Sequence, residues 1–179
     1  MRVSFANLSV TEIETPLLVV NLFEGVTQPT GATGAVDAAL DHLISRLIAD
    51  KEITGKLNEV TVLHTMGRIP AQRVAVVGLG KKEELTIERV RQAAGSAARR
   101  AQQLNLQRFA TIAHGGQAGL SPGESAQATV EGSILATYRY LRFKTVLENG
   151  QPAVDEMVIV TNDEICGAIK EIFEDRRSI

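Results

Sequence analysis

Short apolar runs alternate along the chain with longer stretches of helical period. Val3 and Phe5 alternate with polar neighbours, and Leu17-Leu18-Val19-Val20 is a continuous run. Val60 with Val62, and the apolar stretches at residues 74–77, 109–113 and 157–160, complete the set of strand candidates. Continuous runs suit strands buried on both faces of a sheet. Between them, Val36, Leu40, Leu43, Ile44, Leu47 and Ile48 keep the spacing that lays an apolar stripe along one side of a first helix.

The second helix is expected to start at Thr86, a good N-cap, with Leu85 and Val90 placed as a hydrophobic staple. Its stripe, Ile87, Val90, Ala94, Ala97, Ala101 and Leu104, is rich in alanine. Such a face packs closely but buries less apolar area per residue than leucines would. The third helix has the strongest local signal: Ser121 as N-cap, Pro122 at N1 and Glu124 at N3 make a capping box. Val130, Ile134, Tyr138 and Leu141 follow on one face. Thr161 with Glu164 repeats the capping-box spacing and predicts a last helix over about 162–179, with Ile165, Ile169, Ile172 and Phe173 facing inward.

The order of elements gives an α/β chain with a strand pair joined by the short turn around Gly67 and Pro70, so the sheet is expected to be mixed but mostly parallel. Helices on both of its faces make a three-layer α/β/α sandwich. Only residues 25–34 and 148–152 read as flexible loops.

Composition narrows the class without naming a function. At 179 residues, 44% hydrophobic, the chain is one domain's length and can bury a full core. A net charge of -2 supplies no overall attraction to nucleic acid or anionic lipid. The single Cys166 cannot form an internal disulfide, and residues 1–7 lack the apolar core of a signal peptide. The expected location is the cytoplasm, with no membrane partner.

Candidate chemistry is sparse. His42, His64 and His114 have no carboxylate or cysteine at metal-ligand spacing, so no metal-ligating set and no catalytic residue is assigned. Cys166 lies in the first turn of the expected last helix, where the helix dipole lowers a thiol pKa, but it reads as structural. Two glycine-rich loops end strands ahead of helices, the usual place for phosphate in an α/β sheet. In the first, Gly78, Gly80 and Lys81 lack the third glycine of a dinucleotide fingerprint and the spacing of a P-loop. In the second, Gly115 and Gly116 follow His114 and offer backbone for an anion nest or simply a turn. Basic residues gather at Arg89, Arg91, Arg99 and Arg100, and again in Tyr138-Arg139-Tyr140-Leu141-Arg142-Phe143-Lys144. Cations near a helix C-terminus are favoured by its carbonyls, so the second group reads as structural or as an interface.

That second group also carries a resemblance. The segment from Val130 to Thr145, with Tyr138, Arg139, Tyr140, Phe143 and Lys144, is similar to a stretch in the N-terminal domain of the leucyl aminopeptidases, the cytosol aminopeptidase family. Val36-Asp37-Ala38-Ala39-Leu40, Gly55-Lys56-Leu57, Ile69-Pro70-Ala71-Gln72-Arg73-Val74 and Val77-Gly78-Leu79-Gly80-Lys81-Lys82-Glu83-Glu84-Leu85-Thr86 resemble the same family, in the same order. The likeness runs from Val3 to about Phe173.

The resemblance implies a macrodomain-like fold. It also implies that the full-length protein removes N-terminal amino acids from peptides at a site holding two divalent metal ions (manganese, zinc or magnesium), normally within a hexamer. The family's metal ligands and catalytic residues belong to a C-terminal domain, so none is carried onto this chain, and the sequence is expected to be an excised N-terminal domain. Its expected role is oligomer packing and access to the active site. Two alternatives remain open at this point. One is a stand-alone macrodomain-like module for ADP-ribose or another nucleotide. The Asn-containing strand end and the phosphate loop of ADP-ribose binders are not matched, Val20-Asn21 being a partial echo. The other is a DNA-contacting domain, which the balanced charge disfavours.

Overall fold

A computed structural model describes residues 1–138 and 153–161. Among them are six strands, β1 (Arg2–Asn7), β2 (Leu18–Leu22), β3 (Val60–His64), β4 (Arg73–Gly78), β5 (Arg108–Ile112) and β6 (Glu156–Thr161). Four α-helices accompany them: α1 (Gly31–Ala39), α2 (Leu43–Ala49), α3 (Ile87–Gln103) and α4 (Pro122–Thr137). The strands form one sheet in the order β1-β6-β5-β2-β4-β3. Every pairing is parallel except that of β3 with β4, whose short hairpin connection permits the antiparallel arrangement.

The period of two along each strand divides the interior into two cores. From β2, Leu18, Val20 and Leu22 join one core, with Val36, Leu40 and Ile44 of α1, α2 and the link between them. Val19 points the other way, with Ala93, Ala97 and Ala101 of α3. Strand β4 divides likewise, Val74 and Val76 against Ala75 and Val77. Helices therefore cover both faces, and the alternation of side chains is what fixes register in a doubly buried sheet.

The apolar stripe expected to form one first helix belongs to two. Asp41 and His42 adopt left-handed backbone, with φ of 54° and 58°, and interrupt the helix between Leu40 and Leu43. The Asp37 carboxylate fastens the break. It accepts the Ser45 amide at 3.0 Å, the Ser45 hydroxyl at 2.6 Å and His42 Nδ1 at 3.2 Å. A side chain of α1 thus caps α2, whose own N-cap residue, His42, makes no side-chain capping bond. Helix α1 also begins within the segment expected to be loop, at Gly31.

Helices α3 and α4 start where their caps place them. Thr86 accepts from the Arg89 amide, and Ser121 and Glu124 form the reciprocal capping box. The two helices cross closely: a Cβ built on Gly132 would strike the Arg91 backbone, and one on Gly95 would lie 3.0 Å from the Ala136 Cβ. This contact turns the small residues of α4 toward α3. As a result, the face expected to carry Val130, Ile134 and Tyr138 is only partly inward. Val130 is 7% exposed, but Ile134 is 38% and Tyr138 70% exposed.

Thr161 ends β6 as a buried strand residue whose hydroxyl has no partner among the described residues, and the helix it is expected to cap lies outside them. The last helix at 162–179, Cys166, Leu141, Arg142, the loop at 148–152, and Arg139, Tyr140, Phe143 and Lys144 lie outside the described residues.

Candidate functional site: a crevice at the ends of the parallel strands

The C-terminal ends of β2, β5 and β6 open on a crevice of about 520 Å³, of the size that small-molecule sites occupy. Asn21 comes from β2, Ile112 from β5, and Val160 and Thr161 from β6. The first turn of α1, through Gly31, Ala32 and Thr33, and the first turn of α4, through Pro122 and Ser125, line it as well. Leu8, Val10 and Phe23 supply an apolar wall. Strand direction explains the position: parallel strands end together, and the helices that follow them begin together, so several helix N-termini converge on one edge of the sheet. The lining contains no Lys, Arg, Asp or Glu among the described residues.

Two polar groups at this wall lack the partner that burial ordinarily demands. Ser125 is fully buried and Thr161 is 4% exposed, and neither hydroxyl oxygen makes a hydrogen bond among the described residues. An unmade hydrogen bond at a buried hydroxyl costs about 1–3 kcal/mol. Their neighbours are satisfied: Thr33 donates to the Asn21 carbonyl at 2.7 Å, and Thr129 donates to the Ser125 carbonyl at 2.7 Å.

Behind the crevice, His114 ties three elements together. Its Nδ1 lies 3.3 Å from the Asn21 amide nitrogen, its Nε2 lies 3.2 Å from the Thr111 hydroxyl, and its backbone N–H donates to Thr129 Oγ1 at 3.2 Å. The tautomer with hydrogen on Nε2 completes the chain. Asn21 then donates to Nδ1, Nε2–H donates to Thr111, and Thr111 donates to the Ile112 carbonyl at 3.1 Å. Burial pushes the His114 pKa down to about 4, so the ring is neutral at physiological pH and serves as a buried strut.

The two glycine-rich loops have different fates. The amides of Gly78 and Gly80 donate to the carbonyls of Glu59 and Gly55, at 2.8 and 2.9 Å, while the Gly80 carbonyl accepts from Glu24. That loop is bound to its neighbours, leaving neither amide for an anion, and the Lys81 side chain beside it is exposed. Gly115 and Gly116 do line the crevice, with Gly115 at φ 90°, a left-handed conformation glycine adopts freely. Tyr138 stands at the exposed C-terminal end of α4 and takes no part in the crevice. Of the basic group on α3, Arg89 pairs with Glu84 at 2.7 Å, and Arg91 pairs with Glu131 at 2.8 Å.

Among the described residues no three His, Cys, Asp or Glu side chains gather as a metal site. The donor set among the described residues therefore does not fit a divalent ion. No helix among them is long and apolar enough to cross a membrane.

Known proteins agree with this geometry. The family model for the cytosol aminopeptidase family, N-terminal domain, matches residues 19–146. A probable cytosol aminopeptidase of Geobacter sp. (strain M21) is 36% identical over 160 residues, covering 89% of this chain and 32% of that protein. The chain spans about a third of the length of the curated relatives it matches, 33% and 32% for two of them. Among solved structures, a mutant of tomato leucine aminopeptidase superposes with a TM-score of 0.70 at 20% identity, over 94% of this chain and 34% of that one. A Trypanosoma brucei macrodomain in complex with ADP superposes with a TM-score of 0.73 at 14% identity, over 96% and 68%. The fold is thus macrodomain-like, and the chain belongs to the cytosol aminopeptidase family, matching its N-terminal domain.

Proposed function

We propose that this chain serves as the non-catalytic N-terminal domain of a cytosolic leucyl aminopeptidase, where it contributes to oligomer packing and access to the active site. The full-length protein releases N-terminal amino acids from peptides by two-metal hydrolysis, in a cytoplasmic hexamer. Its two divalent ions, manganese, zinc or magnesium, and its catalytic groups reside in a C-terminal domain. The observation that carries this reading is the match over residues 19–146, to a domain spanning about a third of its relatives. The test is an assay of the 179-residue chain on a leucine peptide substrate with manganese. No turnover is expected, and robust metal-dependent turnover by this chain alone overturns the reading.

A second reading rests on the crevice: a macrodomain-like module that binds ADP-ribose or another nucleotide. Its support is a crevice of about 520 Å³ lined by polar residues and by an apolar wall. Calorimetry with ADP-ribose tests it. Saturable heat is expected, and no heat at millimolar ligand rules it out.

A further inference from the structure

We infer that the free edge of β3 pairs antiparallel with the β3 edge of a second copy of this chain, centred on Val62, and joins the two sheets into one. Strand β3 closes one side of the sheet, and β4 is its only neighbour there among the described residues. The bonds at either end of the hairpin fix which residues face that neighbour. Thr65 N–H donates to the Gln72 carbonyl and Gly78 N–H to the Glu59 carbonyl, so by the alternation of an antiparallel ladder Thr61 and Leu63 bond to β4. The N–H and C=O groups of Val60, Val62 and His64 therefore point outward, and among the described residues nothing bonds to them.

The edge lacks the devices that ordinarily keep one closed. From Val60 to His64 it carries no Lys, no Pro and no acidic residue, and its register with β4 runs unbroken over those positions. Its apolar side chains are also incompletely covered: Val60, Val62 and Leu63 are half-buried, and Met66 at the hairpin tip beyond them is 86% exposed. Self-complementarity selects the occupant. Pairing centred on Val62 is the one antiparallel register that engages all three outward residues of both copies, setting Val62 against Val62 and Val60 against His64. Each facing pair exchanges two backbone bonds, β-branched side chains meet at the centre, and no like charges are opposed. With a net charge of -2 the copies scarcely repel one another. One strand pair falls below the about 1,000 Å² of a stable interface, so the isolated domain dimerises weakly, with a dissociation constant on the order of 100 μM.

This deepens the oligomer packing of the proposed function and rests on that reading for its place in a larger assembly. Sedimentation velocity of the 179-residue chain, from tenfold below to tenfold above that constant, is expected to move from monomer to dimer. Val62→Pro removes an outward donor while leaving the bonds to β4, and should weaken the dimer by about tenfold or more. Register is read by disulfide formation on a Cys166→Ser background. Facing residues of a hydrogen-bonded pair have Cα atoms about 5.5 Å apart, within disulfide range, so Val62→Cys should cross-link two copies on mild oxidation. His64→Cys should not, because in this register the two positions lie about 13 Å apart along the strands. A chain that stays monomeric over the whole range overturns the inference and leaves the edge to a different polypeptide. So does a dimer that folded Val62→Pro leaves unchanged, or one in which His64→Cys cross-links as fast as Val62→Cys. Where Val62→Pro does not fold, the two cysteine variants decide alone. The two readings fail separately. Turnover of a leucine peptide by the chain alone removes the non-catalytic domain and leaves the pairing, whereas a monomer removes the pairing and leaves the domain.

Discussion

The Asn21 carboxamide and the His114 ring meet 3.3 Å apart, joining the end of β2 to the loop that follows β5. Asn21 faces the crevice on one side and this imidazole on the other, so its orientation depends on a neutral ring. A protonated ring would present a second donor at Nδ1 and lose the bond from Asn21.

The pH dependence follows from the depressed pKa of His114, about 4 in the folded state against 6.5 in the unfolded chain. Above pH about 6.5 both states carry the neutral ring, and the contribution to stability is complete. As pH falls below that value the unfolded state takes up the proton first, so stability declines until the folded ring protonates near pH 4. The whole difference corresponds to about 3 kcal/mol. Urea unfolding at several pH values, on the parent and on His114→Gln, is expected to show this decline in the parent only. Equal pH slopes in the two proteins would contradict the assignment.

The crossing of α3 and α4 predicts the effect of Gly132→Ala. In an isolated helix the change gains about 1 kcal/mol from propensity. Here the added Cβ meets the backbone of Arg91, which cannot rotate aside as a side chain would. Overpacking of this kind costs about 1–3 kcal/mol, and here, against backbone, the upper part of that range; less the propensity gain, net destabilisation by up to about 2 kcal/mol is expected by thermal or urea unfolding. A more stable G132A protein would mean that the helices are not in backbone contact.

The ion pair across the same crossing supports a smaller expectation. Arg91 Nε donates to Glu131 at 2.8 Å, but both side chains are about a third exposed, at 34% each. Water and salt screen such a pair, and Glu131→Gln should lower stability by less than about 1 kcal/mol, with the loss shrinking further at high salt. Comparing unfolding of the parent and the variant at low and high ionic strength checks both parts.

How much of this was legible in the sequence depends on the range of the forces involved. The strands were readable because runs such as Leu17-Leu18-Val19-Val20 are themselves the doubly buried surface. The starts of α3 and α4 were readable because Thr86 and Ser121 act on amides three residues away. The break after Leu40 was hidden because Val36, Leu40 and Ile44 keep helical spacing across it and share one core. Gly115 and Gly116 announced a strand-end loop. Ser125 gave no signal, since a serine after a capping box reads as ordinary helix, and Thr161 read as a cap because only tertiary packing reveals its burial. Asn21 drew attention only through the resemblance, because its partner His114 is 93 residues away.

The Asp37 link between α1 and α2 gives the last prediction. Burial would raise the pKa of this carboxyl, but hydrogen bonds from the Ser45 side chain and backbone, with a further bond and attraction from His42, outweigh it and hold the value below the usual carboxylate range. A depressed carboxylate stabilises the fold above its unfolded pKa, and that contribution is lost as pH falls through the folded value. Asp37→Ala removes the cap of α2 and leaves the half-buried Ser45 donors without their acceptor. A loss of about 2–3 kcal/mol is expected at neutral pH, from the cap and its charge-assisted bonds. Asp37→Asn keeps one acceptor oxygen and should fall between the parent and the alanine variant. Hydrogen exchange should locate the damage: the amides of Ser45 and the following turn of α2 should lose protection while those of α3 keep it. Uniform loss of protection across both helices would mean that the carboxylate supports the whole core rather than this one junction.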